Sequence, residues 1–401
     1  MIPRVLVLGS GFAGLWAALG AARRLDELGA EPGAVDVTVI SSRPFHDIRV
    51  RNYEADLSAC RIPLSGLLDP VGVGHRTAEV TGIDVSATTV HTADGAAFGY
   101  DRLVLAVGSR VVRPEIPGLA DFGFDVDTYD GAIALQTHIR RLSGRTDSAA
   151  ATAVVVGAGL TGIETASELP AMMSEAPGVT PRVLLVDHNS RVGSDMGGSA
   201  RPIIEEALER NGVEARTGVR VVAVEKESVT LTSGDVVAAA TVVWCAGMRA
   251  NPLTGQLGVP CDRLGRLPVD DYLRVEGVDR VFAAGDVAVA AMDDDHVSVM
   301  SCQHGRPMGR YAGHNVISDL LGEPMLALRI PWYVTVLDLG PAGAVYTEGW
   351  DRRVVSAGAA AKKTKQVING ERIYPPLTGD RAALLAAAAP VVQAPPGYEA
   401  T

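Results

Sequence analysis

Two stretches of this 401-residue chain carry the same six-residue pattern, and the repetition limits the fold more than any other feature. Gly9-Ser10-Gly11-Phe12-Ala13-Gly14 follows the apolar run Val5-Leu6-Val7-Leu8. Gly157-Ala158-Gly159-Leu160-Thr161-Gly162 follows Ala153-Val154-Val155-Val156. A short apolar run bounded by glycine reads as a buried parallel strand. In G-x-G-x-x-G the first glycine makes a tight turn, the second lets backbone approach a pyrophosphate, and the third lets the helix pack close to the strand. The helix N-terminus then offers free N–H groups and the positive end of its dipole to phosphate. One match alone is weak, but here each follows a predicted strand and opens a predicted helix. The competing reading is a pair of glycine-rich turns that bind nothing.

The order of elements around the two turns also repeats. In the first half a helix runs to about Leu28, a strand covers Val35 to Ile40, and a hairpin of Thr88–Thr92 and Ala96–Tyr100 turns at Asp94-Gly95. The strand Leu103–Ala106 then closes on Gly108-Ser109-Arg110. In the second half the helix reaches about Met173, a strand covers Val183–Val186, and a hairpin lies within Ser228–Val237. The strand Thr241–Trp244 closes on Ala246-Gly247-Met248-Arg249. A duplicated mononucleotide-binding plan is the simplest account. Beyond it come a strand running into Ala284-Gly285-Asp286, a helix over Pro307–Leu321, and short strands at Trp332–Leu337 and Gly343–Tyr346. Lys362-Lys363-x-Lys365 reads as a solvated face, and Gln393–Thr401 as a frayed end.

Composition narrows the classes. A net charge of −11 disfavours nucleic acid and anionic membrane surfaces. Cys60, Cys245, Cys261 and Cys302 form no C-x-x-C pair, so neither a metal site nor a disulfide framework is expected, and the usage suits a reducing, cytoplasmic compartment. Val5 to Ala22 lacks charge and could be read as a signal peptide or short span, but its glycine spacing assigns it to a strand-turn-helix.

The strand ends separate the two turns. Asp187 ends the second strand of the second unit, where a carboxylate accepts from both ribose hydroxyls of NAD and repels the extra phosphate of NADP. A plain turn aspartate is the alternative. The equivalent residue of the first unit is Ser41, a weaker ribose partner. Asp286, on a glycine turn after a strand, could reach a polyol hydroxyl of a longer dinucleotide, which points to FAD in the first unit. Glu164 lies in the first turn of the second helix. It could hold a nicotinamide carboxamide or move a proton, or it could close a capping box with Thr161. His46 and His304 are polar candidates whose commoner role is structural, and Cys60 reads as a small buried residue.

Together these motifs resemble the two-dinucleotide-binding flavoproteins over about residues 4 to 320. Within that group the chain is most similar to type II NADH dehydrogenases and apoptosis-inducing-factor-like proteins of the pyridine nucleotide-disulfide oxidoreductase superfamily. Pro44-Phe45-His46, Gly162-Ile163-Glu164 and Cys302-Gln303-His304 carry that likeness. The resemblance implies that Asp286 contacts the FAD ribityl chain, that Glu164 sits where flavin and nicotinamide meet, and that Gln303 lies beside the flavin at the mouth of a quinone site. It also puts Val80, Ala106 and Gly108 among the flavin-side contacts. Pro307 stands where the family often has a second glutamine. The segment Ala382–Ala389 lacks the basic face of a membrane-binding helix, and the C-x-x-x-x-C pair of the disulfide reductases is absent.

The expected fold is α/β: two Rossmann-like domains, with the NAD domain inserted into a discontinuous FAD domain, plus a small C-terminal α+β domain. The boundaries read as 1–112 and 268–322 for FAD, 113–267 for NAD(H), and 323–401 for the last domain. The expected activity is hydride transfer from NADH to FAD, then electron transfer to a quinone-like small molecule. Membrane contact would be at most peripheral, on the cytoplasmic face, and a homodimer is left open. The alternatives are reduction of a ferredoxin-like carrier and a slowly turning flavin redox sensor or interaction protein.

Overall fold

A computed structural model of the chain describes residues 2–174 and 180–398. The elements that position the site are, in chain order, β1 (Arg4–Leu8), α1 (Phe12–Glu27), β2 (Asp36–Ser41), β3 (Gly74–Thr77), β4 (Arg102–Leu105), β5 (Gly123–Phe124), β6 (Thr152–Val156), α2 (Leu160–Met173), β7 (Arg182–Asp187), β8 (Val213–Thr217), β9 (Thr241–Trp244), β10 (Val281–Ala283), α3 (Cys302–Leu321), β11 (Val334–Asp338), β12 (Ala344–Glu348), β13 (Arg353–Ala357) and α4 (Gly358–Val367).

Two parallel sheets carry the duplication. The first has strand order β10-β4-β1-β2-β3 and the second β5-β9-β6-β7-β8. Both place the glycine-turn strand in the middle, with its successor on one side and the fourth strand on the other. That is the arrangement in which a crevice opens at the carboxyl end of the central strand. Covered on both faces, the strands can be apolar throughout: Val5–Leu8 and Thr152–Val156 are wholly buried. The stretch Val5–Ala22 forms β1, a turn and α1, as its glycines indicate. Each predicted hairpin gains a third strand, Val80–Asp84 in the first half and Val221–Glu225 in the second.

The fifth strand of each sheet comes from out of order in the chain. β10 returns after the second unit to pair with β4, and β5 precedes the second unit yet pairs with β9. The crossings between units are themselves paired. Ser109–Val111 and Met248–Ala250 form an antiparallel ribbon in which Arg110 lies opposite Arg249, so the two matching Gly-x-Arg closings meet.

Helix α3 begins five residues before the expected Pro307. Ser301 caps it, its Oγ accepting from His304 N–H, and Pro307 lies inside. What the sequence reading missed is the stripe Gly305-x3-Gly309-x3-Gly313. A Cβ at Gly309 would stand 2.3 Å from the Ala13 carbonyl oxygen, and one at Gly313 would stand 2.1 Å from that of Ala17. The two helices therefore meet backbone to backbone.

The C-terminal segment is less separate than expected. Leu337, Leu339 and Val345 share a core with Ile163, Ala166 and Leu169 of α2. The helix Arg381–Ala387 buries Leu384 and Leu385 in the first core, capped by Asp380 and tied to Asp26 by Arg381. Lys362 and Lys365 do not form a solvated face. Lys365 is buried, and both pair with acids on neighbouring elements.

Because backbone atoms cannot yield as a flexible side chain does, Gly313→Ala should cost about 1–3 kcal/mol of stability in urea unfolding. A Cβ at Gly198 meets nothing within 4 Å, so Gly198→Ala should stay within about 0.5 kcal/mol of the parent.

Candidate functional site

The first cradle is built by Gly9 and its surroundings. Gly9 has φ +102°, and a Cβ there would lie 2.5 Å from the Ala106 carbonyl oxygen, so only glycine fits. At Gly11 a Cβ would meet nothing within 4 Å. Open space beside the unpaired N–H groups of Phe12, Ala13 and Gly14 is what a diphosphate requires. Phe12 packs edge-on against His46, whose Nδ1 donates to the Ser10 carbonyl at 2.8 Å, and its Nε2 has no partner among the described residues. Full burial holds His46 down to about 4, against that backbone hydrogen bond.

Around this cradle the flavin-side candidates converge. Gly285, at φ +75°, carries the chain past Ala13, where a Cβ would approach Ala13 Cβ to 2.7 Å. Asp286 follows. Its Oδ2 accepts from Ser109 Oγ at 2.6 Å, with Arg49 at 3.8 Å. Burial pushes its carboxyl up, while Ser109 and Arg49 pull it back. Gly108 takes φ +69° in the loop before Ser109, and Val80 opens its strand half-buried against the first core. Gln303 stands in the first turn of α3 with its Nε2 buried and without a partner among the described residues. Ser41 is already committed: its Oγ donates to the Arg43 carbonyl at 2.7 Å, so His75 Nε2, at 2.9 Å, is its donor. It retains only acceptor capacity for a ribose.

The second cradle has the same form. Gly157 has φ +106°, and a Cβ would come within 2.9 Å of Ala246 backbone. At Gly159 a Cβ would meet only Asp195 Oδ2, at 3.4 Å. Leu160, Thr161 and Gly162 form the first turn of α2, and Gly247 takes φ +77° at the end of β9. Asp187 is buried at the end of β7, where Oδ2 accepts from Ala158 N–H at 2.6 Å and Oδ1 from Asn189 N–H at 2.7 Å. The carboxylate thus braces the turn whatever else it binds.

Glu164 departs from one of its two expected roles. Gly159 is the N-cap and makes no side-chain cap, so there is no capping box with Thr161. The carboxylate instead binds groups of the C-terminal segment. At 7% exposure it accepts from Lys365 Nζ at 2.8 Å and from Asp338 N–H at 3.1 Å. Burial pushes its carboxyl up, opposed by Lys365. Burial also works against the Lys365 ammonium, but Glu164 and Asp338 outweigh it and hold that group up. The ion pair therefore keeps its proton on lysine.

The sequence reading missed the rest of this cluster. Asp338 accepts from Lys362 at 2.5 Å and from Tyr53 Oη at 3.3 Å. Asn369 donates to Tyr53 Oη and to Glu54, and Glu168 lies 3.8 Å from Lys362. These residues come from four separate parts of the chain, so no local spacing announces them. His304 is wholly buried. Its Nδ1 accepts from Val299 N–H at 2.9 Å, so the ring hydrogen is on Nε2, and burial holds the group down to about 4. Burial pushes the Cys60 thiol up to about 11, which makes it unreactive.

Comparisons with known proteins bear on the family and the fold. The family model described as pyridine nucleotide-disulphide oxidoreductase matches residues 3–309. An NADH dehydrogenase-like protein of Mycobacterium tuberculosis (strain H37Rv) is 71% identical over 98% of this chain and 100% of its own length. Demethylphylloquinone reductase NdbB of Synechocystis is 28% identical, covering 86% of each chain. The solved structure of NDH2 from Plasmodium falciparum with NADH has the same fold, with TM-score 0.78 and 14% identity over 96% of this chain and 97% of that one.

Two outcomes follow from the buried charges. Lys365→Met should destabilise the fold by about 3–5 kcal/mol, because it strands a buried carboxylate, and adding Glu164→Leu should restore part of that loss. His46 and His304 fall from 6.5 to about 4 on folding. Their stabilisation is complete above about pH 6.5 and disappears as pH drops through 4. Each supplies up to about 3 kcal/mol of that slope, and His304→Gln should flatten it in denaturation curves taken from pH 7 to 4.

Proposed function

We propose how a chain that belongs to the pyridine nucleotide-disulphide oxidoreductase family, as this one does, uses its two cradles. It is an enzyme with FAD and NAD(H) as cofactors, and NADH is its reductant. FAD supplies the redox chemistry, a two-electron relay between NADH and an acceptor. The first cradle holds FAD through the backbone of Gly9, Gly11, Phe12, Ala13 and Gly14. Ser41 lies at the ribose of this unit; Val80, Ala106, Gly108, Gly285 and Asp286 are the further FAD contacts. The second cradle holds NADH through Gly157, Gly159, Leu160, Thr161 and Gly162, with Asp187 at the ribose and Ala246 and Gly247 beside the nicotinamide.

Glu164 and Gln303 are the two side chains assigned to the redox centre. Glu164, held in place by Lys365, orients the nicotinamide and keeps a proton donor close. Gln303 offers its unshared amide hydrogens to the acceptor. The acceptor is a quinone-like molecule, and the observation that carries this is the buried, unpartnered Gln303 amide at the end of α3 nearest Asp286. The quinone named for the Synechocystis relative supports it. No described helix is long and apolar enough to cross a membrane, so contact with a membrane-held quinone would be peripheral, from the cytoplasmic side.

The FAD unit takes residues 1–112 and resumes at 268 in this reading. Residues 113–267 form the NAD(H) unit, with Ala250, Leu253 and Leu257 packed against the FAD unit. The remaining residues to 322 complete it, and 323–401 form the C-terminal unit that supplies Lys365.

The purified yellow protein should bleach within a stopped-flow trace when mixed anaerobically with NADH, and more slowly with NADPH. A naphthoquinone should then restore the oxidised spectrum faster than ferredoxin does. Glu164→Gln should slow the bleaching step by about 10- to 100-fold. Equal rates with both nucleotides would overturn the role of Asp187, and preferential reoxidation by ferredoxin would overturn the acceptor.

A further inference from the structure

Helix α3 carries two arginines that the roles above leave unused. Arg306 is 8% exposed and Arg310 is 2% exposed. No ion pair or side-chain hydrogen bond joins either guanidinium to a described residue; Nε of each is buried without a partner, while the Nη edges are the part left open. The chain treats a third buried arginine differently. Arg266, also 8% exposed, binds Asp262 and the Ser298 carbonyl. A buried charge left without a counter-ion is costly, so two side by side ask what neutralises them.

Among the described residues, the surroundings supply no anion paired with either group. Trp16 of α1 lies beneath both groups, its ring centre 5.5 Å from the Arg306 guanidinium carbon and 4.2 Å from that of Arg310. Stacking on an indole fixes a guanidinium plane but leaves its N–H edges bare. The charged and titratable groups facing the pair are Arg372, which adds to the positive field, Cys302, whose thiol burial keeps protonated, and His46, which burial keeps neutral. Burial draws both arginines down to about 10, so both stay charged at neutral pH.

Their place on the helix gives the rest. Residues 303, 306 and 310 follow one another at i, i+3 and i+7, along a single stripe. Gln303 Nε2, Arg306 Nε and Arg310 Nε are all buried donors without a partner. Arg306 stands roughly 5 Å along the axis from Gln303, and Arg310 about one turn further.

We infer that Arg306 and Arg310 receive a carboxylate-type oxyanion carried by the electron acceptor whose ring meets Gln303. The inference rests on the proposed reading for the identity of the acceptor as a quinone-like ring. The acceptor class it specifies is an aromatic or quinonoid acid, with its anionic group about one helical turn from the ring.

A redox-silent probe separates this from the activity. Calorimetric titration of the FAD-loaded protein with 2-naphthoate and with the neutral isostere 2-naphthamide should give at least about tenfold tighter binding of the acid. The difference should shrink in high salt and should vanish in Arg306→Gln and Arg310→Gln. Trp16 emission gives a second readout of binding in wild type, independent of whether either variant folds. Equal affinity of wild type for the two probes, or a preference for acid that survives both substitutions, would overturn the site. Arg306-dependent binding to phosphatidylglycerol over phosphatidylcholine vesicles, without a preference for naphthoate, would move the anion from the acceptor to a lipid headgroup and overturn the inference. Reoxidation of the reduced protein by a neutral naphthoquinone, measured on the same preparation, tests the quinone reading by itself.

Discussion

The contact between α1 and α3 is the constraint on which the rest of the molecule depends. Three glycines spaced four apart remove the side chains from one face of α3, and its backbone rests on the carbonyls of Ala13 and Ala17. These helices are nearly three hundred residues apart in the chain, yet α1 opens at the first cradle and α3 follows the Gly285-Asp286 turn. Their close approach brings Gly285 and Gly305 against Phe12 and Ala13 of the first cradle. Any side chain on that stripe would push α3 outward, so the register of the two helices is held by the absence of atoms rather than by a bond.

Much of this was legible in the sequence because it is local. Strand, glycine turn and helix are adjacent in the chain, and the need for positive φ at Gly9 and Gly157 can be read from spacing alone. The start of α3 was misplaced because proline usually marks a first helical turn. Here Ser301 provides the cap, and Pro307 sits one turn in at the cost of the hydrogen bond it would have given to the Gln303 carbonyl. Of the two roles the sequence leaves open for Glu164, the capping box is the one that fails. Its spacing from Thr161 fits a capping box, but Lys365 wins by offering a full charge in a buried place. That partner is 201 positions away, and a run of lysines gives no sign of which ones will be covered.

The distribution of buried charge divides the site into two sides. On the side of α2 each acid has found a base: Glu164 has Lys365, and Asp338 has Lys362. The C-terminal segment acts there as a counter-charge as much as a domain, and its core is continuous with that of α2. On the α3 side the balance is reversed. Donors outnumber acceptors along Gln303, Arg306 and Arg310, and aromatic stacking takes the place of ion pairing. One side is electrically closed within the protein, and the other leaves its donors unmatched among the described residues.

The ribbon formed by Ser109–Val111 and Met248–Ala250 has a mechanical meaning. Two polypeptide crossings joined by their own hydrogen bonds cannot swivel separately, since a turn in one drags the other. The nucleotide-bearing halves are thus linked as by a strap of double width, free to bend across it but stiff against torsion. Twisting one half against the other would therefore have to shear these backbone hydrogen bonds.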